Sequence, residues 1–129
     1  MKTRTLRAGA LLTALTASLL LAACSSPATS LAGSWGEPET PGEPALVFTP
    51  DGDGAAGEYA GSDGCNTIGG SYTEADGTIE LGVMRATMMY CEGVDTWLSR
   101  GHTAELSGDT LTVFDEAGTQ IGALTRAAG

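Results

Sequence analysis

Three cysteines and one histidine are the residues of this 129-residue chain that are best suited to nucleophilic or zinc chemistry. Cys65 or Cys91 with His102 would form a nucleophilic pair, in which the imidazole activates a thiolate. The same three side chains fall short of a structural zinc site, because such a site uses four ligands at short paired spacings. A disulfide between Cys65 and Cys91 would leave neither thiol for catalysis, and two buried free thiols are a further alternative.

Cys24 differs from the other two cysteines because of the segment that precedes it. The first seven residues hold three basic side chains, and the 16 residues from Ala8 to Ala23 carry no charge, as in a secretory signal peptide. That apolar run is shorter than the roughly 20 residues that span a bilayer as a helix. The sequence Leu21-Ala22-Ala23-Cys24 resembles the lipobox of bacterial lipoproteins, which implies that Cys24 receives lipid and becomes the mature N-terminus. Cleavage that leaves Cys24 an ordinary thiol is the alternative.

These features predict a signal peptide over residues 1–23, a lipidated flexible tether over 24–33 and a folded domain over 34–126. The predicted location is extracytoplasmic, at the outer face of the bacterial cell membrane, with Cys24 as the anchor. Disulfides persist in such an oxidising compartment, so we expect Cys65 and Cys91 to be bridged.

Without the signal segment, the chain keeps three arginines against 16 acidic residues, a formal net charge of −13. Nucleic acid is excluded as a partner, because phosphate binding needs a basic patch. A cationic protein or peptide complements this charge, and acidity that merely keeps an exported domain soluble is the alternative. The candidate partner surface is an acidic cluster on either side of one short strand: Asp51, Asp53, Glu58 and Asp63.

The acidic, glycine-rich run that begins at Asp51 has some features of a calcium-binding loop. Its fifth and twelfth positions are Ala55 and Ser62, where an EF-hand needs an acidic or amide side chain and a glutamate, so an exposed turn is the preferred interpretation and weak calcium binding is the alternative. No other spacing of nucleophiles or carboxylates indicates catalysis. We therefore predict a protein that is not an enzyme and uses no cofactor.

Short β-rich runs separated by turn residues predict antiparallel strands at 45–49, 57–60, 66–73, 78–81, 104–106, 110–114 and 119–125. One helix is predicted between Glu92 and Glu105, because Val94, Trp97 and Leu98 recur at three- and four-residue intervals. The predicted fold class is α+β, a small, mainly antiparallel curved sheet or partial barrel with one helix packed on it.

Several side chains are predicted to have structural roles. Asn66 is expected to stabilise its own turn, since Asn tolerates the left-handed backbone. Five large side chains are predicted to fill the core: Trp35, Trp97, Met84, Met88 and Met89. For the three methionines, a thioether site for a soft metal is the alternative.

The order of landmarks along residues 31–126 resembles the META or HslJ-like domain of bacterial envelope proteins. These landmarks include Trp35, Gly64-Cys65-Asn66 and Thr87-Met88-Met89-Tyr90-Cys91, which is similar to the family's Thr-x-Met-x-Cys signature. The resemblance implies a non-enzymatic envelope domain, linked in some members to stress or antibiotic tolerance. We therefore predict a membrane-anchored, non-catalytic envelope lipoprotein, with an acidic binding or inhibitor module as the alternative.

Overall fold

The structure, a computed structural model, describes residues 30–127. The predicted signal peptide and Cys24 lie outside this range. Nine strands form the described fold: β1 Gly33–Gly36, β2 Ala45–Asp51, β3 Ala56–Ser62, β4 Thr67–Ala75, β5 Thr78–Leu81, β6 Arg85–Ala86, β7 Thr103–Ser107, β8 Thr110–Phe114 and β9 Gln120–Thr125. In this part of the chain no helix is long and apolar enough to cross a membrane.

The strands form one antiparallel sheet that is nearly closed into a barrel. Its order is β1-β2-β3-β4-β5-β7-β8-β9, and β6 pairs with the part of β4 that β5 leaves free. A backbone bridge between Trp35 and Arg126 joins the first strand to the end of the last. Such a meander suits the sequence, because short turns such as Asp76-Gly77, with φ of 52° and 79°, connect neighbouring strands.

Side chains that alternate along the strands fill the barrel interior. On β2, Leu46 and Phe48 are buried whereas Val47 and Thr49 face outward, as the two-residue period of a strand requires. The Phe48 ring packs edge-on against Tyr72, with 5.3 Å between ring centroids, and lies 6.0 Å from the Tyr59 ring. Burial of these apolar side chains is the main force that holds the barrel together.

The prediction of an α+β fold is wrong, because no helix packs on the sheet in residues 30–127. Between Glu92 and Glu105 the chain forms a single 3-10 turn, Trp97–Arg100, and then enters β7. Gly93 has a φ of 77° and Gly101 is extended, so neither residue continues a helix. This one turn accounts for the apolar residues that suggested a helix. Leu98 enters the core, and the Trp97 ring packs closely on Gly122, where an added Cβ would lie 2.6 Å from the ring.

We call the contact between Ser30–Gly36 and Leu124–Ala127 the closing seam. The Arg126 guanidinium lies 4.2 Å from the centroid of the buried Trp35 ring, in cation–π geometry. It also donates hydrogen bonds to the carbonyls of Ala32, at 3.1 Å, and Ser30. The Trp35 Nε1–H donates to the Leu31 carbonyl at 2.9 Å, and Leu31 is buried although it falls within the predicted tether.

The barrel has two ends that differ in what they carry. Because Gly33 pairs with Phe48, the residues before β1 lie beside the β2–β3 hairpin, and Ser30 and Gly54 line the same depression. We call this the termini end, since Arg126 and Ala127 form hydrogen bonds with residues 32–34 at the start of the described chain. The opposite end, the loop end, carries the connections at 37–44, 63–66 and 82–102.

Candidate functional site

At the loop end, the β3–β4 connection is joined covalently to the chain that follows β6. Cys65 and Cys91 form a disulfide with 2.01 Å between their sulfur atoms and 5.7 Å between their Cα atoms. This confirms the predicted pairing. We call Thr87–Cys91 the cross-linked loop, because the disulfide fixes one of its ends and β6 lies immediately before the other.

Asn66 connects the two segments through its side-chain amide. Its Oδ1 accepts hydrogen bonds from the Met89 backbone N–H at 2.6 Å and from the Thr87 hydroxyl at 3.1 Å. Its Nδ2 donates to an Asp63 carboxylate oxygen at 3.3 Å and to the Met89 carbonyl at 3.5 Å. The bond to Asp63 lies within the turn of Asn66, as predicted, whereas the expected left-handed backbone is wrong, because Asp76 is the only non-glycine residue with positive φ among those described.

Asp63 completes this network from inside the protein. The residue is fully buried, and its Oδ1 accepts hydrogen bonds from the backbone N–H groups of Cys65, at 2.9 Å, and Asn66, at 2.5 Å. A buried carboxylate is tolerated where backbone donors satisfy it. Asp63 therefore does not belong to the candidate partner surface on which the sequence analysis placed it.

The other three residues of that surface are exposed and lie elsewhere. Asp51 and Asp53 belong to the β2–β3 hairpin at the termini end, and Glu58 lies on the outer face of β3, where it pairs with Thr49. Asp63 follows the opposite end of β3. The structure thus separates the predicted acidic cluster into an exposed part near the termini and a buried residue at the loop end.

Three consecutive side chains of the cross-linked loop are exposed although the loop is held at Thr87, Met89 and Cys91. Met88 is 97% exposed, Tyr90 87% and Met89 63%. The prediction that Met88 and Met89 fill the core is wrong, whereas Met84 does pack against it. Asn66 and the disulfide explain the difference, since both fix backbone positions and leave the intervening side chains outside.

The disulfide and the placement of potential ligands decide two of the chemistries considered from the sequence. The disulfide occupies both Cys65 and Cys91, so neither can act as a thiolate nucleophile with His102. In the part of the chain that the structure covers, no three His, Cys, Asp or Glu side chains come together as potential metal ligands. What the loop end does present is a surface of exposed apolar side chains.

A shallow groove of about 360 Å³ adjoins the cross-linked loop on the outer face of β3, β4 and β6. Small side chains line much of it, including Ala60, Gly69 and Ala86, and Arg85 and Thr87 lie at its side. Beneath this region Tyr59 is buried, and burial raises the pKa of its phenol although the charge of Arg85 opposes the change.

Acidic side chains lie on two of the segments next to the disulfide. A Cβ on Gly64 would lie 2.7 Å from the Gly42 carbonyl and 3.0 Å from the Val94 side chain, so three loop-end segments meet there. Exposed carboxylates flank these contacts on the β1–β2 connection and after Cys91: Glu39, Glu43, Glu92 and Asp95. We call these four residues the acidic rim.

The comparisons with known proteins identify the family. The sequence matches the family model described as META domain over residues 28–128, which is well over half of the chain. The comparison finds no match among curated proteins and none among solved structures. Thr87 and Cys91 of the signature-like segment supply the hydroxyl that bonds Asn66 and the sulfur that bonds Cys65, which gives the sequence pattern a structural basis. The chain therefore belongs to the META-domain family and is an HslJ-like, envelope-associated protein.

Proposed function

We propose that this protein is a lipid-anchored, non-catalytic envelope lipoprotein that acts through contacts made at the loop end of its barrel. The observation that carries the proposal is the opposite placement of two features. Ser30, where the described chain begins, lies at the termini end, whereas the exposed side chains of the cross-linked loop lie at the loop end.

Chain length supports this orientation. The segment from Cys24 to Ser30 reaches at most about 20 Å when fully extended. The nine residues of β4 cover about 30 Å of strand between the two ends of the barrel. A lipid on Cys24 would hold the termini end against the membrane and present the loop end away from it.

Replacement of the lipobox cysteine tests the anchor. Cells that express the full chain are grown with a clickable fatty acid, and we expect label on the wild type and on a Ser25→Ala control. Cys24→Ala should lose the label and the membrane fraction, because it lacks the thiol that accepts the lipid. Equal labelling of Cys24→Ala and wild type would contradict lipidation at this residue.

A role in envelope maintenance under stress is the physiological part of the proposal, supported by the resemblance to META-type proteins. Deletion of the gene should lower tolerance to antibiotics that act on the envelope. Complementation with the wild type should restore tolerance, and complementation with Cys24→Ala should not. Unchanged tolerance in the deletion strain would contradict the stress role while leaving the anchor intact.

The net charge favours a second candidate function, the capture of a cationic protein or peptide by exposed carboxylates. Asp51, Asp53 and Glu58 are the exposed members of the predicted surface. Their joint reversal to lysine should abolish binding of a lysine-rich peptide, because like charges would then face each other. Binding to the wild type should weaken as salt is added, because attraction between exposed charges is screened beyond about 8 Å at physiological ionic strength. Reversal of Glu80, Glu105 and Glu116, which are exposed on β5, β7 and the β8–β9 connection, away from the β2–β3 hairpin, serves as the matched control. Equal binding by both variants would exclude this surface.

A further inference from the structure

The cross-linked loop exposes three large apolar side chains in succession on a constrained backbone. Met88, Met89 and Tyr90 are exposed, while the Met89 N–H and carbonyl are both bonded to Asn66 and the next residue is in the disulfide. Side chains presented in this way lose little backbone entropy on binding, because the segment is already ordered. Val83, which is 93% exposed, precedes β6 on the same segment.

The net charge of the protein limits which kind of partner can bind this surface. The described residues hold 16 acidic side chains and three arginines, a formal net charge of −13. A second copy of the chain or an anionic bilayer would bring like charge against the acidic rim. A cationic partner would instead find apolar side chains on the cross-linked loop and exposed carboxylates on the neighbouring segments, with Arg85 as the charged residue that lines the groove.

We propose that the cross-linked loop and the adjoining groove form a docking surface for a basic, apolar-containing segment of a partner protein. The apolar side chains of that segment pack on Met88, Met89 and Tyr90. Its basic side chains face the acidic rim. Aromatic and methionine side chains at the centre of a surface with a charged periphery are typical of protein interfaces. The proposal deepens the proposed function and rests on it only for the orientation of the loop end away from the membrane.

Binding of short synthetic peptides to the full chain tests this inference. The protein is reconstituted in phosphatidylcholine nanodiscs, or used directly where it is not membrane-bound, so a failed anchor leaves the binding test intact. Fluorescence anisotropy is recorded with three dye-labelled peptides of equal length: alternating Lys and Leu, alternating Glu and Leu, and alternating Lys and Ser. We expect only the Lys–Leu peptide to bind, because it alone provides both positive charge and apolar side chains.

Two variants locate the site. Joint replacement of Met88, Met89 and Tyr90 by serine should weaken binding of the Lys–Leu peptide by about tenfold or more, since anchor side chains carry most of the energy of such interfaces. Val47→Ser is the matched control, because Val47 is exposed on β2, with β3 and β4 between it and β6. It should bind like the wild type. Unchanged thermal unfolding of the triple variant verifies that its fold is intact.

Four results would overturn the proposal. Equal binding of the Lys–Leu peptide by the triple variant would place the site elsewhere, and equal binding of the Glu–Leu peptide would remove the charge argument. A wild-type dimer that the triple variant abolishes, seen by analytical ultracentrifugation, would identify a second copy as the occupant. Binding of the unanchored chain to phosphatidylglycerol vesicles through the same three residues would identify lipid.

Discussion

At the closing seam Trp35 is completely buried, whereas in the cross-linked loop Met88 is almost completely exposed. Both regions join distant parts of the chain: Arg126 reaches Ser30 and Ala32, and Asn66 reaches Thr87 and Met89. At the seam the joining contacts cover an aromatic ring. In the loop they hold the backbone of Met89 and the side chains of Thr87 and Cys91, and the side chains of Met88, Met89 and Tyr90 remain exposed.

This difference separates a region that stabilises the barrel from one that is available for recognition. Burial of a large aromatic side chain contributes directly to folding, and so does the cation–π contact that covers it. Exposed Met and Tyr side chains contribute little to folding, and their position on an ordered loop is the observation on which the proposed docking surface rests.

Trp35→Ala should have the largest effect on stability. It leaves a cavity in the core and removes the surface on which Arg126 stacks, so the free energy of unfolding should fall by about 3–5 kcal/mol in denaturant titrations. Trp35→Phe keeps most of the ring and loses the Nε1–H that bonds Leu31, and should cost only about 1–2 kcal/mol. Equal losses for the two variants would show that the hydrogen bond, rather than the ring, closes the seam.

Joint replacement of Cys65 and Cys91 by alanine comes next. The cysteines are 26 positions apart, and a cross-link over such a loop stabilises the folded state by about 3–4 kcal/mol in the chain-entropy model. The lower melting temperature should be reproduced by reduction of the wild type with dithiothreitol. A melting temperature that neither treatment lowers would show that the network around Asn66 holds the loop without the disulfide.

The sequence predicts the strands well because their signals are local. Thr78–Leu81 alternates and follows Asp76-Gly77, and it is found as β5 after a turn with positive φ at both residues. The predicted helix fails for a non-local reason. Thr103 pairs with Glu80 in the sheet, so the chain must be extended soon after Leu98. Trp97 and Leu98 therefore lie in a single 3-10 turn and not in a longer helix.

The candidate site is only partly predictable from the sequence. The Cys65–Cys91 pairing follows from cysteine count and expected compartment, and the structure confirms it. The exposure of Met88 does not follow, since methionine is usually a core residue and its position here depends on a contact between Asn66 and Met89, 23 residues apart. The joint occurrence of Gly-Cys-Asn and Thr-x-Met-x-Cys was the signal that could have linked the two segments.

Asn66→Ala should release the cross-linked loop while leaving the closing seam intact. It removes the acceptor for the Thr87 hydroxyl and the Met89 N–H and leaves the buried Asp63 carboxylate with fewer donors, at a cost of about 1–3 kcal/mol. Hydrogen exchange should become faster at the Met89 amide and remain slow at the Trp35 amide. Thr87→Val, which removes one hydroxyl, should produce a smaller change in the same direction. Uniformly faster exchange in both regions would mean that the two are not independent.

Replacement of Tyr59 and Tyr72 by phenylalanine, one at a time, should have the smallest effect at neutral pH. Both hydroxyls are buried without a hydrogen-bond partner among the described residues. Each variant should therefore unfold within about 1 kcal/mol of the wild type, because no hydrogen bond is lost. A larger loss for either variant would indicate a partner, such as bound water, for that hydroxyl.

The two tyrosines should differ from phenylalanine in alkaline solution. Burial raises the pKa of both phenols above the ordinary value of 10.0, and nearby Glu74 and Asp51 raise that of Tyr72 further, whereas Arg85 lowers that of Tyr59. Below about pH 10 the phenols are protonated in the folded and unfolded chains alike; as the pH rises beyond it, the unfolded chain releases protons that the folded one retains, so stability is lost. Denaturant midpoints measured from about pH 8 to about pH 11 should fall less for each phenylalanine variant than for the wild type.

Two charge variants should change this alkaline loss of stability in opposite directions. Arg85→Met, beside the cross-linked loop, should make the loss steeper, because Arg85 no longer lowers the pKa of Tyr59. Asp51→Asn, at the termini end, should make the loss smaller, because Asp51 no longer raises the pKa of Tyr72. Identical alkaline profiles for all of these proteins would show that neither phenol has a pKa that differs between the folded and unfolded chains.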